Sequence, residues 1–222
     1  MTEDQPLPAG NFSAWLAQMQ SAIAGDGDAD VPCAGCTACC TSSQFVHIGP
    51  DETDTLTHIP AELLFPAPRM PRGTVLLGYD ENGHCPMLVE GKCSIYEHRP
   101  RTCRTYDCRI FPAAGMEPDD DDQVLIAERA RRWRFDFAGE VDQVTHDALR
   151  AAARFVRERH DLLPDGAVPA NATQRAVLAV RLQEVFVGRD EETGRAVVVD
   201  PEPDTIVAML SSPGHGPERV AR

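Results

Sequence analysis

The chain has 222 residues, of which 25% are charged and 42% hydrophobic, as in an ordinary globular protein. Its formal net charge of -14 argues against nucleic acid or an anionic membrane surface as a partner, because both require clustered Lys and Arg. No apolar run is long enough for a transmembrane helix, and the acidic N-terminus does not resemble a signal peptide, so we expect a cytoplasmic protein.

The first predicted element is an amphipathic helix over residues 11–24, with Asn11 as its N-cap. An acidic loop completes an N-terminal segment, residues 1–30. Residues 31–115 contain all the cysteines and form the predicted metal-binding domain. Its predicted elements are short: a strand at 44–48, a helix at 51–64 interrupted by Pro60, a Pro-rich linker or irregular loop at 65–72, a strand at 75–77, and turns at 80–83 and 90–91.

The region 123–222 is predicted to be mainly helical and to pack on the cysteine domain. Apolar residues at helical spacing indicate helices over 141–162, ended by Pro164-Asp165-Gly166, and over 171–187. A strand at 196–199 and a short helix at 204–210 follow. The acidic run 119–122 is expected to be a solvated loop and the tail after 210 to be loose. The predicted fold class is therefore α+β, an irregular cysteine-rich region with short strands packed with a mostly helical C-terminal half.

The eight cysteines form two groups along the chain, one with the pattern CxxCxxCC and one with spacings of 8, 10 and 5 residues. In a reducing compartment such clustered cysteines hold a metal more often than they form disulfides. Thiolates repel one another unless a cation holds them, so we predict that both groups converge on metal. The candidate ligands are Cys33, Cys36, Cys39, Cys40, Cys85, Cys93, Cys103 and Cys108.

Two metals fit these cysteines. The spacing of Cys33, Cys36 and Cys39 resembles that of bacterial ferredoxins, which bind a [4Fe-4S] cluster, and it favours iron–sulfur slightly. Zinc is the rival, although the second group lacks the CxxC knuckle common in zinc sites. Eight thiolates suit two four-cysteine sites, or one site with spare thiols. Adjacent side chains usually diverge, so Cys39 and Cys40 could serve different metal atoms or different centres.

Basic residues accompany the second cysteine group in this acidic protein. They would offset the negative charge of metal-bound thiolates, although pairing with neighbouring acids is the ordinary alternative. These residues are Lys92, Arg99, Arg101, Arg104 and Arg109. A second basic run, at residues 129–134, is better explained as a solvated helix face than as a nucleic-acid site.

Several segments together resemble the YkgJ family of CxxCxxCC proteins, whose members are described as zinc- or iron-chelating domains with eight cysteines. These segments are CxxCxxCC at 33–40, Cys85-Pro86-Met87-Leu88, residues 91–96, Arg99-Pro100 and Thr102-Cys103-Arg104. The resemblance covers roughly residues 33–111 and implies metal binding rather than a reaction. Related cysteine clusters occur in flagellin lysine methylases, which leaves an iron–sulfur-dependent, methylase-like enzyme as an alternative, although no glycine-rich methyl-donor motif is found.

Three other uses of the cysteines are less favoured. A catalytic cysteine could use His47, His84 or His98 as its base, but one nucleophile does not explain eight cysteines. A thiol redox protein could use the formal CxxC of Cys33 and Cys36, although this motif normally begins a helix after a strand. A secreted disulfide scaffold would leave half the chain uncrosslinked. Beyond a metal ion or cluster, the sequence identifies no protein or redox partner.

Overall fold

The structure is a computed structural model and describes residues 5–29, 31–33, 35–68, 70–119, 123–164 and 167–211. Three predictions fall on other residues: the tail from 212 onward, most of the acidic run (120–122), and the Asp165-Gly166 part of a helix end all lie outside the described ranges. None of the described helices is long and apolar enough to cross a membrane.

The described residues form eight α-helices and nine strands. The helices are α1 (Phe12–Ala24), α2 (Thr53–His58), α3 (Arg101–Thr105), α4 (Ile110–Ala114), α5 (Val124–Arg132), α6 (Glu140–Glu158), α7 (Ala172–Leu182) and α8 (Pro203–Ser211). The strands are β1 (Leu7–Asn11), β2 (Val46–Ile48), β3 (Leu64–Pro66), β4 (Val75–Leu77), β5 (Leu88–Val89), β6 (Lys92–Cys93), β7 (Trp133–Asp136), β8 (Val187–Arg189) and β9 (Ala196–Val198). This mixture confirms the predicted α+β class.

Two hydrophobic cores organise these elements. The main core is built from α1 and from the helices that follow Cys108, with Phe12, Phe111 and Leu149 among its fully buried side chains. The small core lies under the antiparallel sheet β2-β4-β3 and contains five buried side chains. These are Val46, Ile48, Ile59, Leu77 and Ile95. Among the cysteines, Cys108 belongs to the main core, whereas Cys85 and Cys93 pack against the small core.

The N-terminal helix is confirmed, together with its cap. The Asn11 side chain accepts a hydrogen bond from the Ala14 backbone N–H at 2.9 Å, and Gly25 ends the helix in the left-handed conformation, with φ of 83°. Strand β1 was not predicted. It pairs in parallel with β7, which is distant in sequence, and places Leu7 opposite Trp133. Pro6, Pro8 and Gly10 hide this strand, since both residue types are rare in strands.

The predicted helix at 51–64 is shorter than expected. It ends at His58, and residues Ala61–Leu63 form a 3₁₀ turn that leads into β3. Pro60 explains the break, because the residue before a proline is driven out of the helical conformation, and Ile59 is indeed extended. As a result, the segment predicted to be irregular from residue 65 begins within a strand. The strand predicted at 44–48 begins at Val46, and the one at 75–77 is confirmed.

In the C-terminal region the two long predicted helices are α6 and α7. Each is followed by a 3₁₀ turn, His160–Leu162 and Gln183–Phe186, that covers most of the remaining predicted length. The predicted strand at 196–199 is β9, which forms a hairpin with β8, and the last predicted helix is α8. The helix face predicted at residues 129–134 corresponds to the end of α5, which stops at Arg132, whereas strand β7, which begins at Trp133, was not predicted. Helix α5 contacts the 3₁₀ turn Ala38–Thr41, and Trp133 of β7 contacts Cys108.

Candidate metal centre

All eight cysteines are free thiols, so none of them forms a disulfide. Four segments carry them: the loop before the 3₁₀ turn Ala38–Thr41, that turn itself, the β5–β6 hairpin with the residues before it, and the α3–α4 region. Their neighbours divide them into two sets. We name the set Cys33, Cys36, Cys39 and Cys108 the main-core thiol group, and the set Cys40, Cys85, Cys93 and Cys103 the small-core thiol group.

The hairpin β5–β6 positions two members of the small-core thiol group. Its turn residues Glu90 and Gly91 both have positive φ, 50° and 73°, as the tightest hairpin turn requires. The hairpin pairs Leu88 with Cys93, while the Leu88 N–H donates to the Cys85 carbonyl at 2.9 Å. Both cysteines pack against the small core. The hairpin therefore brings Cys93 back toward Cys85, from which it is separated along the chain by the hairpin turn.

Cys40 and Cys103 join the same set from other segments. The Cys85 N–H donates to the Cys40 carbonyl at 2.7 Å, which fixes the 3₁₀ turn beside the hairpin. Helix α3 carries Cys103 against β2, where the Thr102 hydroxyl donates to the His47 carbonyl at 2.7 Å. The thiols of Cys85, Cys40 and Cys93 are the like groups that act most strongly on that of Cys103.

Two thiols of this group, those of Cys40 and Cys103, are hard to ionise in the absence of a cation. Burial, with added repulsion from Cys85 and Cys93, raises the pKa of Cys40 to about 11. Burial and the same kind of repulsion raise the pKa of Cys103 to about 12, although Cys103 as a whole residue is exposed. A soft cation would remove both penalties, since it neutralises the thiolates where they stand.

The main-core thiol group is assembled against α5 and β7. The Cys36 N–H donates to the Cys33 carbonyl at 2.5 Å and closes a tight turn. Cys108 is 7% exposed within the main core, and its sulfur accepts a hydrogen bond from the Trp133 indole N–H at 3.2 Å. Burial raises the pKa of Cys108 to about 12, an effect that the Trp133 hydrogen bond opposes.

The thiol of Cys108 acts on that of Cys39 more strongly than the thiol of its sequence neighbour Cys40 does. Burial raises the pKa of Cys39 well above its usual value, and the thiol of Cys108 is the largest electrostatic contributor, ahead of Cys33, Cys36 and Cys40. Burial, Cys36 and Asp107 likewise raise the pKa of Cys33. Burial therefore raises the pKa of three thiols in the main-core group, those of Cys33, Cys39 and Cys108, as it does for three thiols in the small-core group.

The charge around the thiols differs from the predicted basic patch. Arg101 pairs with Asp51 at 2.5 Å and Arg104 with Asp28 at 2.8 Å, so these two take the ordinary surface role. Arg99 lies over the Tyr96 ring, 3.7 Å from its centroid, and lowers the pKa of both Cys33 and Cys103.

Arg129 is the other arginine with this effect, as it also lowers the pKa of Cys33. It comes from the run that the sequence analysis assigned to a solvated face. It lies over the Trp133 ring, 4.7 Å from its centroid, and it donates to the Pro32 carbonyl at 3.3 Å. Arg129 differs from the other arginines of that run in its position on α5, which brings its side chain to the cysteine loop.

A buried ion pair flanks Cys108. Asp107 and Arg109 contact each other at 2.8 Å, with side chains 1% and 7% exposed, and the Asp107 carboxylate also accepts from the Trp15 indole at 2.8 Å. Arg109 donates further to the Ala9 carbonyl at 3.0 Å. The N-terminal helix and strand are thus tied to the loop that presents Cys108. In the sequence, Arg109 was only a possible counter-charge for the thiolates. Its ion pair with Asp107 could have been suspected only from their positions on either side of Cys108.

Among the described residues, the one set of three or more Cys, His, Asp or Glu ligand atoms that all lie within 4.8 Å of one another is Asp54, His58 and His98. His98 contacts the Asp54 carboxylate at 2.7 Å, and the two histidine rings stack with centroids 3.5 Å apart. His98 is therefore engaged by Asp54 rather than by a thiol. His47 and His84 are exposed, and no described contact joins either of them to a cysteine sulfur.

Residues 32–128 match the model of the CxxCxxCC family, described as "Putative zinc- or iron-chelating domain". The matched segment includes all eight cysteines and Arg99, and it ends within α5, directly before Arg129. Comparisons with the curated proteins and with the solved structures gave no match. Over residues 32–128, then, the chain carries the pattern of the CxxCxxCC family of zinc- or iron-chelating domains.

Proposed function

We propose that this chain is a metal-binding protein that holds an iron–sulfur cluster or zinc through up to eight cysteine thiolates. The proposal is carried by eight free cysteines on four separate segments, several of which lie close enough to raise the pKa of one another. Burial and mutual repulsion penalise the ionisation of Cys39, Cys40 and Cys103, and a bound cation would remove that penalty. The match to a zinc- or iron-chelating family supports the same conclusion.

Of the two metals, we favour iron in a [4Fe-4S] cluster. The run Cys33, Cys36 and Cys39 supports iron–sulfur, because the same cysteine spacing supplies three ligands of a [4Fe-4S] cluster in bacterial ferredoxins. The second cysteine group lacks the CxxC knuckle that is common in zinc sites.

The donor set also suits such a cluster. All the donors are sulfur, the softest protein ligand, and Arg99 and Arg129 supply positive charge beside Cys33. When bound, a cluster of this kind supplies a site for one-electron transfer. Cys39 and Cys103 are exposed as whole residues, so a redox partner could approach either of them closely. We therefore place electron transfer ahead of a purely structural role.

Thiol–disulfide chemistry is less well supported. A reactive cysteine needs a lowered pKa, whereas burial raises the pKa of Cys33 in the CxxC motif. Cys33 and Cys36 also lie in a loop rather than at the start of a helix. A methylase-like enzyme would use the same cluster, and no described residue outside the thiols points to it specifically. The free thiols further lead us to propose a reducing compartment such as the cytoplasm.

Anaerobic purification of the full chain, followed by iron, zinc and acid-labile sulfide analysis and a visible spectrum, tests the proposal. We expect a brown protein with broad absorption near roughly 400 nm and matching iron and sulfide. A colourless protein with stoichiometric zinc would overturn the preference for iron–sulfur. A chain without either metal would overturn metal binding itself.

Matched variants connect this result to the thiols. Cys39→Ser should lower the metal content and the melting temperature. Thr37→Ala, two residues away, should change neither, because Thr37 contributes only its backbone carbonyl to the described hydrogen bonds. If Cys39→Ser keeps the full metal content of the unsubstituted chain, the thiols are not the ligands.

A further inference from the structure

We propose that the chain holds two separate metal centres, one bound by the main-core thiol group and the other by the small-core thiol group, joined by the peptide bond between Cys39 and Cys40. This inference rests on the proposed function and adds the number of centres and the ligands of each. Neither the cysteine spacing nor the family match assigns a ligand to a centre.

The first support is that each group is attached to its own hydrophobic core. Cys108 is part of the main core, and Ala38, beside Cys39, packs against that core. The 3₁₀ turn Ala38–Thr41 also contacts α5, whose Arg129 reaches the Pro32 carbonyl next to Cys33. In contrast, Cys85 and Cys93 pack against the small core. The two cores therefore hold different cysteines, Cys108 in the main core and Cys85 with Cys93 against the small core.

The second support is the geometry of the turn that contains both Cys39 and Cys40. A 3₁₀ helix has three residues per turn, so consecutive side chains point about 120° apart. Neighbouring side chains in such a turn point away from each other, which favours separate centres for Cys39 and Cys40. The Cys40 carbonyl receives the Cys85 N–H, which fixes Cys40 toward the hairpin. Cys39 is left on the side of the turn that faces Cys108.

The third support is that the thiols that act most strongly on one another fall into the same two groups. Cys103 and Cys40 each interact with Cys85 and Cys93, whereas Cys39 interacts most strongly with Cys108. Cys108 in turn interacts with Cys33 and Cys36. Weaker repulsion from Cys33 and Cys36 reaches Cys40, which places the two groups side by side.

Each group supplies four thiolates, the full ligand set of one tetrahedral ion or one [4Fe-4S] cluster. No cysteine is left over and none has to be shared. Two centres separated by one peptide bond would be close enough to influence each other electrostatically, and for clusters, close enough to exchange electrons. The second centre would also stabilise the small core, which has few buried apolar side chains of its own.

The test is a titration of the reduced, metal-free full chain with Cd²⁺ under anaerobic conditions, followed by the cadmium–thiolate absorption in the ultraviolet. We expect the absorption to stop rising at two equivalents. This signal excludes oxygen and nitrogen ligands, so Cd²⁺ at Asp54, His58 and His98 would not contribute. Absence of any thiolate absorption would overturn the proposed function. An end point other than two equivalents would overturn the two-centre inference alone.

Paired substitutions test which ligands belong together. Cys33→Ser with Cys36→Ser should leave one equivalent, and so should Cys85→Ser with Cys93→Ser, because each pair removes two ligands of a single centre. Cys39→Ser with Cys85→Ser removes one ligand from each centre and should weaken both. Thr37→Ala and the exposed Lys92→Ala should keep two equivalents. If the within-group pairs weaken both centres, the assignment is wrong.

A measurement on the unsubstituted chain keeps the inference testable even if these variants fail to fold. In the ¹¹³Cd NMR spectrum of the fully loaded chain we expect two resonances, each at the shift of four-sulfur coordination, with no cadmium–cadmium coupling. Coupling between the two would show bridging thiolates and a single polynuclear centre, and a single resonance would show one type of site. Either result would overturn the inference.

Discussion

Trp133 donates its indole N–H to the sulfur of Cys108 at 3.2 Å, inside the main core. The two residues are 25 positions apart, and β7, which begins at Trp133, is held in place by its parallel pairing with β1. A hydrogen bond to a thiolate sulfur stabilises its negative charge. Trp133 is therefore a positioning residue for the main-core thiol group, since it acts on a sulfur rather than on the metal.

Trp133→Phe should weaken metal binding at one centre only. Burial raises the pKa of Cys108 and the indole hydrogen bond opposes this, so its loss makes Cys108 harder to ionise. Loss of such a partner typically costs about 10- to 100-fold in metal affinity. Competition with a chelator, centre by centre, measures the change. The small-core thiol group is the control inside the same molecule, and an equal loss at both centres would contradict the prediction.

Asp107→Asn should destabilise the metal-free protein strongly. The substitution leaves Arg109 buried without its carboxylate partner, and breaking a buried ion pair in this way costs about 3–5 kcal/mol. Urea unfolding, monitored by circular dichroism, measures the loss. Asp51→Asn is the matched control, because it breaks an exposed pair with Arg101 and should change stability little. Equal losses in the two variants would show that the burial of the Asp107 pair is unimportant.

Metal affinity should fall steeply as the pH is lowered. The pKa values of about 11 and 12 mean that Cys40, Cys103 and Cys108 are protonated at neutral pH, so each binding event must release protons. Each proton released changes the affinity by about tenfold per pH unit, and a centre of four thiols releases up to four. Chelator competition at pH 6, 7 and 8 measures the slope. An affinity independent of pH would rule out protonated thiols as the ligands.

The metal-free protein should lose stability in alkaline solution. Thiols with raised pKa hold their protons more tightly in the folded chain than in the unfolded chain, so their contribution is complete below pH 9. It is lost as the pH rises from 9 toward 12, because the unfolded chain ionises first. Denaturant unfolding at pH 8, 9 and 10 follows this loss.

Two controls accompany the alkaline experiment. The metal-loaded protein should show little of the loss, since its thiolates are already ionised and bound. Cys103→Ser with Cys108→Ser removes two of the most strongly shifted thiols and should flatten the dependence for the metal-free chain. Stability that is constant between pH 8 and 10 would contradict the prediction.

Metal removal should loosen the small core more than the main core. The small core has five buried side chains under a three-stranded sheet, whereas α6 and α7 are packed within the larger cluster. A small apolar core depends more on a metal for its stability. Hydrogen exchange with and without a chelator should show the larger loss of protection in β2, β3 and β4. If α6 and α7 lose as much, the metal stabilises the chain as one unit.

Much of the fold could be predicted from local patterns. Asn11 before an apolar stripe indicated α1, and Glu90-Gly91 indicated a turn, because caps and tight turns need particular residues at particular places. That this turn closes the β5–β6 hairpin was not predicted. The long helices α6 and α7 followed from apolar spacing. Strand β1 could not be found in this way, since Pro and Gly weaken its pattern and only the distant β7 completes its hydrogen bonds.

The sequence by itself determined the identity of the candidate ligands, because eight cysteines with a CxxCxxCC run leave few other uses for so many thiols. The tertiary structure decided which thiols are neighbours. Cys39 and Cys40 are adjacent in the chain, yet the thiol that acts most strongly on Cys39 is that of Cys108, and the one that acts most strongly on Cys40 is that of Cys85. The tertiary structure also selected Arg99 and Arg129 from many arginines, and Trp133 rather than Trp15 as the donor to Cys108, because contacts between distant segments depend on packing that no local pattern records.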